Sequence, residues 1–323
     1  MLLESPPSEI NSRNRALNRK AHDSDIAEFG FRQTFGECII HPDGRLIEIS
    51  APSGWEEYET PKGKRGSISH FSSSARYRQM TTLAKIRRDA SLPVFLTLTY
   101  PAQFPSDWKE WKKHNNSFWT FLKTLYPQRS AMWKLEPQHR DAPHFHALVW
   151  NVKKIPWQWL SVIWARIIHD VSINLKDCPV VSGKIGASLF RQWVDELNVS
   201  EICKDSLNAG TSIEKIESWG GVAFYVAKYL GKLCGAFEGG SGRFWGIVGK
   251  ASMPFSVVET IILKIRTALI FKRMVRRFLQ SKLGKKKISK GWKCKLITSD
   301  MANWMRVGEL CCDLAYPQVV KPF

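Results

Sequence analysis

The clearest order in the pattern of apolar and polar positions lies between residues 90 and 150. Val94-Phe95-Leu96-Thr97-Leu98-Thr99-Tyr100 alternates and stops at Pro101. That period predicts a strand with Phe95, Thr97 and Thr99 on one face and Leu96, Leu98 and Tyr100 on the other. Asp107 can cap a following helix, in which Trp108, Trp111, Phe118, Phe121, Leu122 and Leu125 keep helical spacing down to Tyr126-Pro127. Two strand-like runs come next, Ala131 to Glu136 and Pro143 to Trp150, joined by the polar, hairpin-length link Pro137 to Ala142. Strand, helix, strand, strand is the order expected of an α+β fold, a central antiparallel sheet with helices packed on one face.

Outside this block the pattern is weaker. Ser72 to Ala90 reads as a short basic helix and Trp157 to Cys178 as a helix, while Val180 to about Ser218 is mixed. Trp219 to Lys232 reads as a helix that ends before Gly235, and Arg243 to Gly249 as the last strand of the core. Upstream, Cys38-Ile39-Ile40 and Leu46-Ile47-Glu48-Ile49 flank the turn-forming Pro42-Asp43-Gly44, a hairpin signature. Residues 1 to about 35 are polar and aperiodic, and the composition shifts again after Thr260. No acidic residue falls between Glu259 and Asp300, whereas Lys264, Arg266, Lys272, Arg273, Arg276, Arg277 and a run of lysines do. Its first half predicts an amphipathic helix. The expected division is an N-terminal arm and hairpin (1–71), a core domain (72–255) and a basic helical, nucleic-acid-binding extension (256–323).

Charge narrows the partners. The 323-residue chain carries a formal net charge of +19, which favours polyanions, nucleic acid first and an anionic membrane surface second. Seven scattered cysteines without a C-x-x-C pair suggest neither a disulfide framework nor a cysteine zinc site and fit a reducing cytoplasm. Met1-Leu2-Leu3 is followed at once by Glu4 and Ser5, and no apolar run reaches transmembrane length. A soluble cytoplasmic protein is expected.

The candidate chemistry starts at Pro143-His144-Phe145-His146. Two residues apart on a strand, His144 and His146 share one face and Phe145 takes the other. The hairpin swings Glu136 back towards them, and two imidazoles with one carboxylate would leave coordination positions open on a bound cation. Two satisfied polar side chains on a half-exposed face is the plainer reading of the histidines alone. Downstream, Tyr225 and Tyr229 lie four residues apart on one helix face, each followed three residues later by a lysine, Lys228 and Lys232. A phenol is a poor nucleophile at neutral pH unless a cation stabilises the phenolate, which a lysine one turn away or a metal can do.

Three motifs in this order, Phe95-Leu96-Thr97-Leu98-Thr99-Tyr100-Pro101, Pro143-His144-Phe145-His146 and Tyr225-Val226-Ala227-Lys228-Tyr229, resemble the HUH endonuclease superfamily. The resemblance is to its rolling-circle replication initiators of small single-stranded DNA phages and bacterial plasmids, and the paired tyrosines look like the phage A-protein type. It spans roughly residues 72 to 250. It implies a five-stranded antiparallel sheet related to the RNA-recognition (ferredoxin-like) fold, Mg²⁺ or Mn²⁺ on Glu136, His144 and His146, and Tyr225 and Tyr229 as nucleophiles that form a 5′-phosphotyrosine link. Lys228 and Lys232 would assist them. Single-stranded origin DNA is the implied substrate in a bacterial host cell. No G-x-x-x-x-G-K-[ST] stretch is present, so a separate host helicase and replication machinery are implied. A transposase of the same superfamily, a non-catalytic single-strand binder and a zinc hydrolase on the same three ligands are the alternatives.

Overall fold

The computed structural model describes residues 35–41, 46–50, 68, 70–87, 89–138, 141–152, 154–230, 234, 237, 240–264, 267–271, 273, 274, 277 and 294–297. The chain divides into two compact units, 63–255 and a second one made of 1–62 together with 256–323.

Two strands open the described chain, β1 (Phe35–His41) and β2 (Leu46–Ser50). They pair antiparallel with Glu37 opposite Ser50 and His41 opposite Leu46, the hairpin read from the sequence; its turn residues lie outside the described ones.

The 63–255 unit begins with helix α1 (Ser73–Leu83), capped by the Ser72 side chain, which accepts from the Ala75 amide. Strand β3 (Val94–Thr99), helix α2 (Trp108–Leu125) and strands β4 (Ser130–Pro137) and β5 (Pro143–Trp150) follow. These four elements fall where the hydrophobic pattern puts them, and Asp107 caps α2 as expected, accepting from the Lys109 amide. Helix α3 (Trp157–His169) is shorter than the pattern suggested. Asp170 leaves the helical region with φ 50°, a left-handed stop that short polar residues tolerate.

The stretch that the sequence left unassigned contains α4 (Gly183–Glu196), α5 (Glu201–Ala209) and the edge strand β6 (Thr211–Lys215). Phe190 and Val194 of α4 and Cys203 and Leu207 of α5 bury against Val162 and Ala165 of α3 in a satellite cluster. Helix α6 (Trp219–Tyr225) passes into a π-helical turn, Val226–Leu230, and β7 (Trp245–Val248) closes the sheet.

The sheet runs β6-β3-β5-β4-β7, and every neighbouring pair is antiparallel. The five-stranded antiparallel α+β fold is therefore present. Each strand's alternation gives the sheet two unlike faces. On one, Leu96, Leu98, Trp133, Leu135, Phe145, Ala147 and Val149 pack under Trp111, Phe118 and Leu122 of α2 and Leu160, Ile163 and Trp164 of α3. The Trp164 indole also donates to the Thr99 carbonyl at 2.8 Å, locking α3 to β3. On the other face Phe95, Met132, Leu148 and Trp150 pack with Ile86, Val222, Leu230 and Tyr225. Helices thus cover both faces, not one, and the tyrosine-bearing helix lies on the second together with the residues around Ile86.

In the other unit, β8 (Glu259–Lys264) and β9 (Cys294–Ile297) complete a four-stranded antiparallel sheet ordered β8-β1-β2-β9. The amphipathic helix expected from Thr260 is corrected here: its first residues form a strand, and helical residues begin at 267. Thr260, Ile261 and Ile262 are β-branched, and β1 offers them a paired edge. The segments before and after the central unit, kept apart in the sequence reading, share this sheet. The lysine-rich run 278–293 and residues 298–323 lie outside the described residues. Among the described residues no helix is long and apolar enough to cross a membrane.

Candidate active site

The face of the sheet under α6 carries the candidate chemistry because strand register lines it up. Across β4, β5 and β3, Glu136 stands opposite His144, Lys134 opposite His146, Thr97 opposite His146 and Thr99 opposite His144. Directly opposed residues of an antiparallel pair point the same way, so all six side chains share one face. The His144 and His146 rings lie 4.4 Å apart between centroids. His146 Nδ1 is 3.2 Å from Thr97 Oγ1, and its Nε2 is 3.8 Å from Glu136 Oε2. His144 Nδ1 lies 2.6 Å from the Gln138 amide nitrogen. A partner on Nδ1 fixes how each ring is turned, the arrangement that orients imidazoles which ligate through Nε2.

Lys134, absent from the sequence reading, sits at the centre of this surface with its side chain wholly buried. Its Nζ donates to the Tyr229 carbonyl at 2.8 Å, lies 4.0 Å from Glu136 Oε2 and stands 4.8 Å over the Phe71 ring. A buried ammonium survives only when it is well partnered. This one ties the strand carrying Glu136 to the turn carrying Tyr229. The signal for it was the alternation Met132, Lys134, Glu136, which puts the lysine on the histidine face.

Helix α6 starts where the Ser218 hydroxyl accepts from the Gly221 amide at 3.1 Å. A Cβ on Gly221 would stand 3.0 Å from the Ile216 side chain, so the close approach suits glycine. The helix then widens into the π-helical turn, a local feature often found at functional sites. Tyr225 and Tyr229 stack on each other with centroids 6.1 Å apart and planes 18° from parallel. Beneath them Phe95 stacks against both, at 4.5 Å from Tyr225 and 5.1 Å from Tyr229. Tyr229 continues onto His146, centroid to centroid 4.5 Å, and Lys228 Nζ lies 4.8 Å over the Tyr229 ring. The Tyr225 hydroxyl instead donates to Glu214 Oε2 on the edge strand β6. That hydrogen bond, then burial, then the charges of Glu214 and Tyr229 push the Tyr225 phenol above its ordinary range.

The expected site residues Glu136, His144, His146, Tyr225, Lys228 and Tyr229 therefore gather on one face. Lys232 lies outside the described residues. Phe95, Lys134 and Glu214 belong to the same surface. Glu214 had no sequence signal, because Thr211-Ser212-Ile213-Glu214-Lys215 holds a single apolar residue.

Two imidazoles and a carboxylate are the donor types that suit a divalent cation. In this conformation, among the described residues, no three His, Cys, Asp or Glu side chains close on a common point for a metal. The fit is thus one of donor type and shared face.

Residues 93–234 match the family model of the ORF2-type replication-associated proteins. That span is a little under half of the chain. It runs from the residue before β3 to just past the tyrosines and contains every candidate residue named from the sequence. Comparisons with curated proteins and with solved structures found no match.

Proposed function

We propose that this protein nicks and rejoins single-stranded DNA at a specific site to start rolling-circle replication, using Tyr225 and Tyr229 as nucleophiles. The observation that carries the reading is the contact of the tyrosine pair with the histidine pair, Tyr229 against His146 at 4.5 Å with Tyr225 stacked beside it. The two motifs lie 79 residues apart in sequence, from His146 to Tyr225 (225 − 146), so their meeting is a product of the fold and not of chain proximity. The match to a replication-associated family supports a replication-initiator role and, at that level, a nuclease.

In this reading Glu136, His144 and His146 hold Mg²⁺ or Mn²⁺, which when bound polarises a phosphodiester oxygen. The chain's own residues do the rest. Phe95 fixes the planes of both phenols, and Lys134 holds the backbone of the π-helical turn at Tyr229. Attack by a tyrosine oxygen on phosphorus forms the P–O(Tyr) bond, breaks the P–O3′ bond and leaves a 3′-hydroxyl. The bond energy is kept in the 5′-phosphotyrosine, so the strand can be rejoined, which hydrolysis by water would not allow. Lys228, and Lys232 by its spacing, would neutralise phosphate charge. The basic chain grips the strand beyond the site, a grip that weakens with salt. Duplex unwinding falls to a separate helicase.

The test is incubation with Mn²⁺ and a labelled library of randomised single-stranded oligonucleotides, followed by denaturing electrophoresis. A protein-DNA adduct is expected, and sequencing the attached strands returns the preferred site. The Tyr225→Phe, Tyr229→Phe double variant should form none. Cut DNA free of protein, with zinc bound to the purified chain, would favour a zinc hydrolase instead.

A further inference from the structure

The two tyrosines share a motif but not an environment. Tyr229 lies over β3 and β5, its ring on His146 and under the Lys228 ammonium. Tyr225 lies over β3 and β6, its ring on Phe95 and its hydroxyl on the Glu214 carboxylate. Glu214 stands opposite Phe95 in the β3–β6 register, with Ser212 opposite Thr97, so β6 extends the histidine face by one strand. The charged and titratable groups that act on Tyr225 are Glu214 from β6 and Tyr229 from its own helix, and β3 faces it with the Phe95 ring.

We infer that Glu214 is a proton acceptor reserved for Tyr225, so that the two nucleophiles are inequivalent: Tyr229 belongs to the histidine pair and Tyr225 to the edge strand. The inference rests on the phosphotyrosine reading above. A carboxylate beside a phenol makes the resting phenol less acidic, so Glu214 does not store a phenolate. It acts as a general base only while the oxygen attacks. The Tyr225 O–H bond breaks, and its proton passes to Glu214 Oε2. The oxygen forms its bond to phosphorus as the P–O3′ bond breaks, and the departing 3′ oxygen takes a proton from water. Glu214 then returns its own proton to solvent, which closes the balance. Tyr229, with a histidine and an ammonium against its ring where Tyr225 has a carboxylate on its hydroxyl, is the tyrosine placed for the first cleavage. Tyr225, held at the sheet edge, is placed for the second transfer.

The experiment uses the full chain in two single-tyrosine backgrounds, with Mn²⁺ and the randomised single-stranded library. Glu214→Gln should slow adduct formation at least ~tenfold more in the Tyr229→Phe chain than in the Tyr225→Phe chain, within the range that a positioned general base supplies, and Glu214→Asp should restore part of the rate. A readout without DNA accompanies it, the ultraviolet titration of phenolate. The transition lost in Tyr225→Phe should move to lower pH in Glu214→Gln. Equal slowing in both backgrounds, or an unmoved transition, overturns the assignment of Glu214 alone. A wild-type chain that forms no adduct overturns the phosphotyrosine reading and the base with it.

Discussion

Replacing Lys134 with methionine should destabilise the 63–255 unit by removing one half of a buried pair while the other half stays. The ammonium is wholly buried, 4.0 Å from Glu136 Oε2 and hydrogen-bonded to the Tyr229 carbonyl at 2.8 Å. At an effective dielectric constant of about 20, opposite charges at that separation attract by about 4 kcal/mol. The charged hydrogen bond contributes about 1.5–3 kcal/mol more. Desolvation of the ammonium offsets several kcal/mol of this, and breaking a buried pair from one side typically costs about 3–5 kcal/mol. A loss of about 3 kcal/mol is therefore expected, since His146 remains beside the carboxylate. Methionine matches the stem of lysine in length, so the loss reports charge and hydrogen bonding more than an empty cavity. The measurement is urea denaturation followed by tryptophan fluorescence, with the Lys134→Met, Glu136→Gln double variant as control. The double variant should recover much of the loss, because no carboxylate is left stranded. A Lys134→Met chain as stable as wild type, or a double variant no better than the single one, would refute the reasoning.

Phe95 underlies both tyrosines and packs against His146 at 5.5 Å, and it is 2 % exposed. Phe95→Ala should cost about 3–5 kcal/mol in the same denaturation experiment and slow adduct formation through both tyrosines; Phe95→Leu should cost less. On the opposite face, burial and then the Arg243 charge push the Lys112 ammonium from 10.5 down to about 7. Between those two values the unfolded chain holds a proton that the folded chain does not, so this residue makes stability rise with pH across that window. Lys112→Met should flatten the measured pH dependence there, and an unchanged slope would count against it.

Much of this architecture was legible because the core strands and α2 each carry one strong period. Phe95 and Leu96 separate onto two faces by alternation alone, and the pair His144 and His146 inherits its shared face from the same rule. The missed elements lacked such a period. β6 is an edge strand held by pairing to β3 and not by burial, and α4 and α5 bury only a few residues each in a side cluster. β8 read as helix because Thr260-Ile261-Ile262-Leu263-Lys264 leads into a helical run, and only its partner β1 distinguishes the two. Within the site, ligand-type residues announced themselves by type and spacing. Lys134 and Glu214 did not, since their roles arise from what the tyrosine helix lays across the sheet.

The most direct measurement is the mass of the protein after reaction with single-stranded DNA and Mn²⁺, followed by nuclease digestion and peptide mapping. A nucleotide carried through its 5′-phosphate on the peptide containing Tyr225 and Tyr229, and absent from the chain with both replaced by phenylalanine, is the predicted result. Strand cleavage that leaves the protein unmodified, or an adduct on any other residue, would contradict it.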